Sequence, residues 1–150
     1  MATPVLVRPP EARDRAQWAA LYAGYAAFYE VAQTAEMRAT VWGWLHDPAS
    51  TLEGRVAEDA TGRLVGLAHF RPYLRPLSAS TGGFLDDLFV APEARGQGVA
   101  EALIGAVAEV ARTRGWSVLR WITAEDNARA RRVYDRVARR TGWVTYDIAP

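Results

Sequence analysis

The chain has 150 residues, 18 basic and 17 acidic, for a formal net charge of +1 with histidine neutral. That length suits a single domain over residues 1–150, and near-neutral charge gives no global pull toward nucleic acid or an anionic membrane. There are no cysteines, only two histidines (His46 and His69), and every cation is an arginine; disulfides, thiolate or multi-histidine metal centres, cysteine and lysine nucleophiles and the lysine-dependent Walker loop are thereby excluded.

Residues 1–10 hold only a short apolar run, not a secretory signal. The longest uncharged apolar stretch, 18–29, covers 12 residues, short of the ~20 that a bilayer span needs. A soluble cytoplasmic protein is expected. Residues 4–8 read as a strand stopped by Pro9-Pro10. Trp18, Leu21, Tyr22, Tyr25 and Tyr29 then follow helical spacing over 11–29, and a second helix fits 35–46 with Met37, Val41, Trp44 and Leu45 on its stripe. Residues 52–59 and 63–71 read as strands joined by a turn at 59–62, and 72–83 as a loop, since it holds two prolines and two adjacent glycines. Residues 84–90 form another strand. A helix opens at 95–100, with Val99, Leu103, Val107 and Val110 inward, and ends at Gly115. Strand 118–123, helix 126–140 (Ala130, Val133, Tyr134 and Val137 inward) and strand 143–148 complete the order β-α-α-β-β-β-α-β-α-β. That order predicts a mixed central sheet flanked by about four helices.

The most informative stretch is Val90-Ala-Pro-Glu-Ala-Arg95-Gly-Gln-Gly98-Val-Ala100. It lies between a strand and a helix N-terminus, where backbone N–H groups and the helix dipole make an anion site. Gly96 and Gly98 permit unusual dihedrals and close approach. A Walker loop needs a lysine, which is lacking. A dinucleotide fingerprint needs a third small residue where Glu101 stands. The pattern left is Gln/Arg-x-x-Gly-x-Gly/Ala, met by Arg95, Gly98 and Ala100.

On that loop and the element order, nearly the whole chain resembles the GNAT superfamily of acyl-CoA-dependent N-acetyltransferases. The resemblance implies the GNAT fold, of α/β (α+β) class, with acetyl-CoA as co-substrate and no metal. It implies that the CoA pyrophosphate meets the backbone amides of Arg95, Gly96, Gln97, Gly98, Val99 and Ala100. Asn127 and Tyr134 lie seven residues apart, two helical turns, and so share a face. The resemblance gives Asn127 to the pantetheine arm, with Ala130 among the cofactor-binding residues, and makes Tyr134 the acid that protonates the departing thiolate. A bare reading leaves Tyr134 as a packed amphipathic residue.

Asp86 and Asp87 interrupt an otherwise apolar strand, FLDDLFV, where a carboxylate is costly unless paired or used. Adjacent strand residues point to opposite faces, so one aspartate at most faces an acceptor unless a bulge intervenes. The tract is similar to the Leu-Glu-Asp-Leu/Phe-Phe-Val run of the diamine and polyamine acetyltransferases, which implies that Asp86 and Asp87 contact a cationic acceptor. Tyr25, Phe28, Tyr29 and Glu30 are similar to the Tyr-x-x-Phe-Tyr run of the same branch, implying that Tyr25, Tyr29 and Glu30 border the acceptor. Apolar periodicity favours Phe28 as core. The expected reaction is direct transfer to a small amine: a carboxylate takes the amine proton, the N–H groups of Leu88, Phe89 and Val90 hold the developing oxyanion, and Tyr134 protonates sulfur.

Two departures stand against the family pattern. Gly142 lies eight residues after Tyr134 rather than four, which puts the last strand's register in question, and Trp143 stands where phenylalanine is commoner. Arg129, Arg131, Arg132, Arg136, Arg139 and Arg140 crowd one helix, the footprint of a nucleic-acid module. The balanced charge favours a solvated face partly paired with Asp135, with no nucleic-acid or membrane partner. An acetyltransferase acting on a protein or peptide amine and a non-catalytic acetyl-CoA sensor are the remaining alternatives. A homodimer is the family's habit; the acceptor's identity is not legible.

Overall fold

The computed structural model describes residues 4–150. Strand β1 (Leu6–Arg8) is followed by helices α1 (Arg15–Phe28) and α2 (Ala35–His46), then by strands β2 (Glu53–Glu58), β3 (Leu64–Arg75) and β4 (Ser80–Val90). Helix α3 (Val99–Arg114), strand β5 (Leu119–Arg120) and helix α4 (Ala128–Val137) complete the regular structure. The sheet runs in the order β1-β2-β3-β4-β5, antiparallel except for the parallel pair β4 and β5. No helix among the described residues is long and apolar enough to cross a membrane.

β3 is buried on both faces from Leu64 to Phe70, because each face carries a helix. His69 meets Trp18 and Tyr22 of α1, while a side chain at Gly66 would press on Val99 and Leu103 of α3. Odd and even positions of a strand face opposite ways, so α1 and α3 lie on opposite sides. The predicted inner stripe of α3 holds: Val99, Leu103 and Val107 are buried and Val110 packs against them. Gly115, at φ 69°, caps its C-terminus. On α2 the stripe shifts. Trp42, not Trp44, turns inward and packs on Trp18 at 5.1 Å between ring centroids, leaving Met37 and Trp44 about half exposed.

Three expectations are corrected. Residues 72–83 are not a loop: β3 runs on to Arg75 and β4 starts at Ser80, with Pro72 paired to Gly83. Proline is tolerated because β2 has ended, its last partner being Phe70. Gly83 sends its N–H to Val118 O (2.8 Å), so the Pro72–Gly83 pair needs no bond from proline. The adjacent glycines make room for packing, since a Cβ at Gly83 would run into the Trp116 ring. β5 shrinks to Leu119–Arg120. The expected strand 143–148 does not form: among the described residues, 138–150 contain no helix or strand and are exposed throughout.

The first turn is tied to the sheet edge by Arg8. Its guanidinium donates to Asp14 Oδ2 (2.6 Å) and Oδ1 (3.0 Å) and to Glu58 Oε2 (2.8 Å), and the Glu11 N–H also donates to Asp14 (2.7 Å). The hydrogen bond from Arg8 holds the Asp14 carboxyl below its ordinary value, outweighing the effect of burial. Asp14→Ala is expected to cost about 3 kcal/mol, the low end for breaking a buried pair because Glu58 still neutralises Arg8. Thermal unfolding should show a midpoint lowered by about 6–12 °C. Since the folded-state pKa is depressed, this stabilisation is present above pH ~4 and is lost as pH falls through the folded value.

Candidate active site

β4 and β5 pair only at Gly83–Leu119 and Phe84–Arg120 and then part. Beyond that point β4 has β3 on one side and, among the described residues, no strand on the other. A cleft of about 400 Å³ opens there, bounded by Leu88–Val90, the start of α3 and the inner face of α4. Ala91 donates to Val65 O (2.8 Å), and Phe89, opposite Leu67, is two residues away in the same register. Antiparallel pairs alternate between bonded and unbonded. Leu88 and Val90 therefore turn their backbone groups to the cleft, and Val90 O accepts from Arg95 Nε (3.1 Å). Phe89 N–H turns toward β3 and is not a free donor, which corrects the expected set of three.

The Arg95–Ala100 loop sits at the cleft floor. Gly96 and Gly98 adopt φ of 76° and 81°, the left-handed values that glycine takes without strain. Gly98 is the N-cap of α3 and supplies no side chain to cap it. The first intrahelical bond at this end is Ala102 N–H to Gly98 O, so the N–H groups of Val99, Ala100 and Glu101 have no helix acceptor. Gln97 does not line the cleft; its amide donates to Glu93 O (3.4 Å). Arg95, Arg129 and Arg136 border the cleft, and Arg136 also pairs with Glu101 at 2.8 Å. These arginines and the uncapped helix end suit a polyanionic ligand.

On the opposite wall Asn127 caps α4, its Oδ1 accepting from Ala130 N–H (3.3 Å), while its amide donates to the Tyr29 hydroxyl (3.4 Å). Tyr134 lies two turns along and packs edge-on against Trp121, centroids 5.5 Å apart. Burial, with the nearby Tyr29 adding, pushes its phenol up to about 12. It stays protonated at any physiological pH.

The register of β3 and β4 slips at the acidic pair: His69 faces Asp87 and Phe70 faces Leu85, leaving Asp86 as the extra residue of a bulge. Both carboxylates thereby meet same-face neighbours on β3, Asp87 through His69 (2.8 Å) and Asp86 through Arg71 Nε (3.0 Å). Asp87 also accepts from the Tyr22 hydroxyl (2.8 Å). The Trp18 indole N–H approaches His69 Nε2 at 3.0 Å. An indole N–H can only donate, so Nε2 accepts and the imidazole proton sits on Nδ1, directed at Asp87. His69 thereby ties the Asp87 carboxylate to the Trp18 indole of α1. Burial works to raise the Asp87 pKa, but its hydrogen bonds outweigh it and the carboxyl lies below its ordinary value. Burial pushes the Asp86 carboxyl up, with Arg71 offsetting only part.

Of the other residues singled out from the sequence, Tyr29 borders the cleft, and Tyr25 packs between Tyr29 and Phe89 (5.0 and 5.8 Å). Glu30 is exposed just past α1, at φ 55°, outside the cleft lining. Phe28 was expected in the core and is not there: it is 52% exposed and lines the cleft beneath the Arg95 guanidinium, 5.3 Å away. Helical spacing misplaces it because period identifies an apolar face but not whether that face meets core or cleft. Arg129, Val133 and Arg136 also line the cleft. The arginines were read as an outer face; the usable signal was that Arg129 follows the cap Asn127 by two residues, in the first turn. No ion pair to Asp135 forms among the described residues.

The sequence model of the acetyltransferase (GNAT) family matches residues 18–138. The chain belongs to that family. Among curated GNAT relatives, it is 31% identical over 143 residues to the D-amino-acid N-acetyltransferase of Saccharomyces cerevisiae, covering 95% of this chain and 89% of that one. It is 45% identical to the bovine thialysine N-epsilon-acetyltransferase over 51 residues only, 34% of this chain and 30% of that protein. A solved ribosomal-protein-alanine N-acetyltransferase from Brucella melitensis superposes with a TM-score of 0.81 at 27% identity, over 97% of this chain and 99% of that one. These matches establish a GNAT acetyltransferase and lend the diamine and polyamine branch only the partial thialysine match.

Proposed function

We propose that the protein is an acetyl-CoA-dependent N-acetyltransferase that acetylates the primary amine of a small cationic acceptor (a polyamine, a diamine or an amino acid) by direct attack in a ternary complex. The observation that carries this reading is the unpaired edge of β4. It faces Tyr134 across a cleft whose floor is the uncapped N-terminus of α3. The residues present fit the co-substrate: free N–H groups and arginines for its phosphates, and a polar cap residue, Asn127, along its arm. When bound, acetyl-CoA supplies an activated thioester.

The chain's own groups do the rest. A primary amine with a pKa near ~10.4 is almost wholly protonated at neutral pH, and Asp86, its pKa raised by burial, is the carboxylate suited to take that proton. The amine nitrogen then bonds to the acetyl carbon as the carbon–sulfur bond breaks. One N–H of the cleft-facing pair Leu88 and Val90, which lie about 7 Å apart along the strand, bonds the carbonyl oxygen. Tyr134 gives its proton to the sulfur and regains one from solvent. With no cysteine in the chain, no thiol acyl-enzyme intervenes.

Within this class an amino acid is favoured by one feature. Arg71 engages Asp86 through Nε, placing a cation beside the base, so the pair can meet both an ammonium and a carboxylate; the D-amino-acid relative acts on such a molecule. We also place the protein in the cytoplasm as a homodimer.

The test is release of CoA thiol, followed with a thiol-reactive dye, across amines with and without a carboxylate; the cysteine-free protein adds no background. Turnover with a small amine is the expected result. Tight acetyl-CoA binding without turnover on any amine would move the reading to a sensor, and no binding would end it. Gly98→Ala forces alanine to φ 81°, a strain of about 1–2 kcal/mol. It should raise the acetyl-CoA KM about tenfold with kcat little changed, read by initial rates at saturating amine.

A further inference from the structure

We infer that Arg71 and Arg120 determine which acceptors the site takes: they form a clamp over Phe84 that holds the carboxylate of a zwitterionic acceptor while the acidic pair holds its ammonium. This rests on the proposed acetyl transfer and narrows its acceptors to those that carry an acid beside the amine. The three residues make one row across the sheet. Arg71 of β3 pairs with Phe84 of β4, and Phe84 pairs with Arg120 of β5. Partners in register share a face, and that face alternates along each strand. Arg71 follows His69 by two residues, so the row lies on the α1 side of the sheet, with the two aspartates. The preceding pair bears this out: a Cβ at Gly83 would meet Trp116 and Leu119, which pack on the core cluster with α3. Arg71, Phe84 and Arg120 are each half-buried.

The donors of this row are largely unused. Arg71 reaches Asp86 through Nε alone, at 3.0 Å to Oδ2 and 3.3 Å to Oδ1. Its guanidinium lies 5.2 Å from the centre of the Phe84 ring, and among the described residues no acceptor bonds its two Nη groups. The Arg120 side chain makes no hydrogen bond or ion pair among the same residues. Strands lie ~4.8 Å apart, so the two arginines start about 10 Å apart with only Phe84 between them, within reach of side chains of this length. A second ammonium placed there would face two guanidiniums, which disfavours a diamine. A carboxylate would meet planar forks of N–H donors that match its geometry. Asp86 lies two residues beyond Phe84 on β4, and Arg71 already touches it. The amine and the acid of one small molecule can therefore lie against base and clamp together.

The test compares matched acceptors: alanine, leucine and phenylalanine in both enantiomers, their carboxamides, and putrescine. The acids should have the highest kcat/KM and putrescine the lowest. Arg71→Gln and Arg120→Gln should each lower the acid-to-amide ratio of kcat/KM by about 10–100-fold, the loss expected for a hydrogen bond to a charged group. For Arg120→Gln the loss should fall on KM, and Arg120→Lys, which keeps the charge without the fork, should restore part of it. A merely structural role would not follow the charge of the acceptor. A ratio indifferent to both substitutions, or a wild type that prefers the amides or putrescine, overturns the clamp and leaves acetyl transfer standing. Absence of turnover on every amine counts against acetyl transfer instead, and calorimetry with CoA present then decides the clamp. N-acetylalanine should bind more tightly than its amide and lose that advantage in Arg120→Gln; equal binding, or none, overturns the inference.

Discussion

Tyr134→Phe is expected to lower kcat by about 10²–10³-fold, within the usual range for removing a general acid, while acetyl-CoA affinity, measured by calorimetry, changes less than about twofold. The substitution removes one oxygen and keeps the ring that packs on Trp121, so fold and cleft survive. A pure sensor would lose nothing. The raised pKa gives a second readout. An ordinary tyrosine at ~10 would be half ionised at pH 10 and lose its proton-donating form. Burial holds Tyr134 up to about 12, so the alkaline limb of kcat should stay flat through pH 10. The departing thiolate, whose conjugate thiol has a reference pKa of ~8.5, is a weaker base than this phenolate, but the desolvation that lifts the phenol also lifts the thiol in the same cleft. The two therefore stay close enough for transfer. An alkaline fall centred near 10 would remove Tyr134 from the proton-donor role.

What could be read from the sequence divides along a physical line. The α3 boundary, its inner stripe and the paired glycines were legible because local rules determine them: period, cap and the sign of φ. The Asp86-Asp87 pair was legible as an anomaly, though not as a shared face, because the bulge depends on the β3 register. Phe28 and Trp44 were misassigned because burial depends on what a helix face packs against, which periodicity does not contain. Gly82 and Gly83 suggested a loop, whereas they are clearance within a strand, Gly83 for Trp116 and Gly82 for Arg75, Tyr73 and Val118. Strand 143–148 was expected from its aromatic and β-branched composition and does not form, since strand propensity is realised only where the sheet offers a partner and, among the described residues, none pairs with this segment. In the candidate site, the loop and the Asn127–Tyr134 spacing came from the chain. The arginines of α4 were seen only as charge, since which side of a helix faces a cleft depends on the neighbouring strand.

The two aspartates should separate cleanly under substitution. Asp86→Asn removes the carboxylate that burial has made the stronger base, and kcat/KM should fall about 10²–10³-fold, with thermal stability nearly unchanged because Arg71 and Asp86 are both partly exposed. Asp87→Asn replaces an acceptor of the His69 and Tyr22 protons. With Oδ2 taken by these donors and its pKa depressed, Asp87 is a poor base. Its loss should cost about 2 kcal/mol, or about 4–8 °C in the unfolding midpoint, and less than about tenfold in rate. Both pH dependences are losses on acidification, and they are set apart because burial raises the Asp86 pKa while the Asp87 pKa is lowered. Activity that needs Asp86 ionised falls as pH drops through a value above the ordinary ~3.9. The stability from Asp87 is present above ~3.9 and is lost only as pH falls through its lower folded value. Wild-type protein should thus lose turnover on acidification before it loses structure, and Asp86→Asn should lose that acid limb. If Asp87→Asn instead carries the larger loss of rate at unchanged stability, the base is Asp87, and Asp86 serves to hold Arg71.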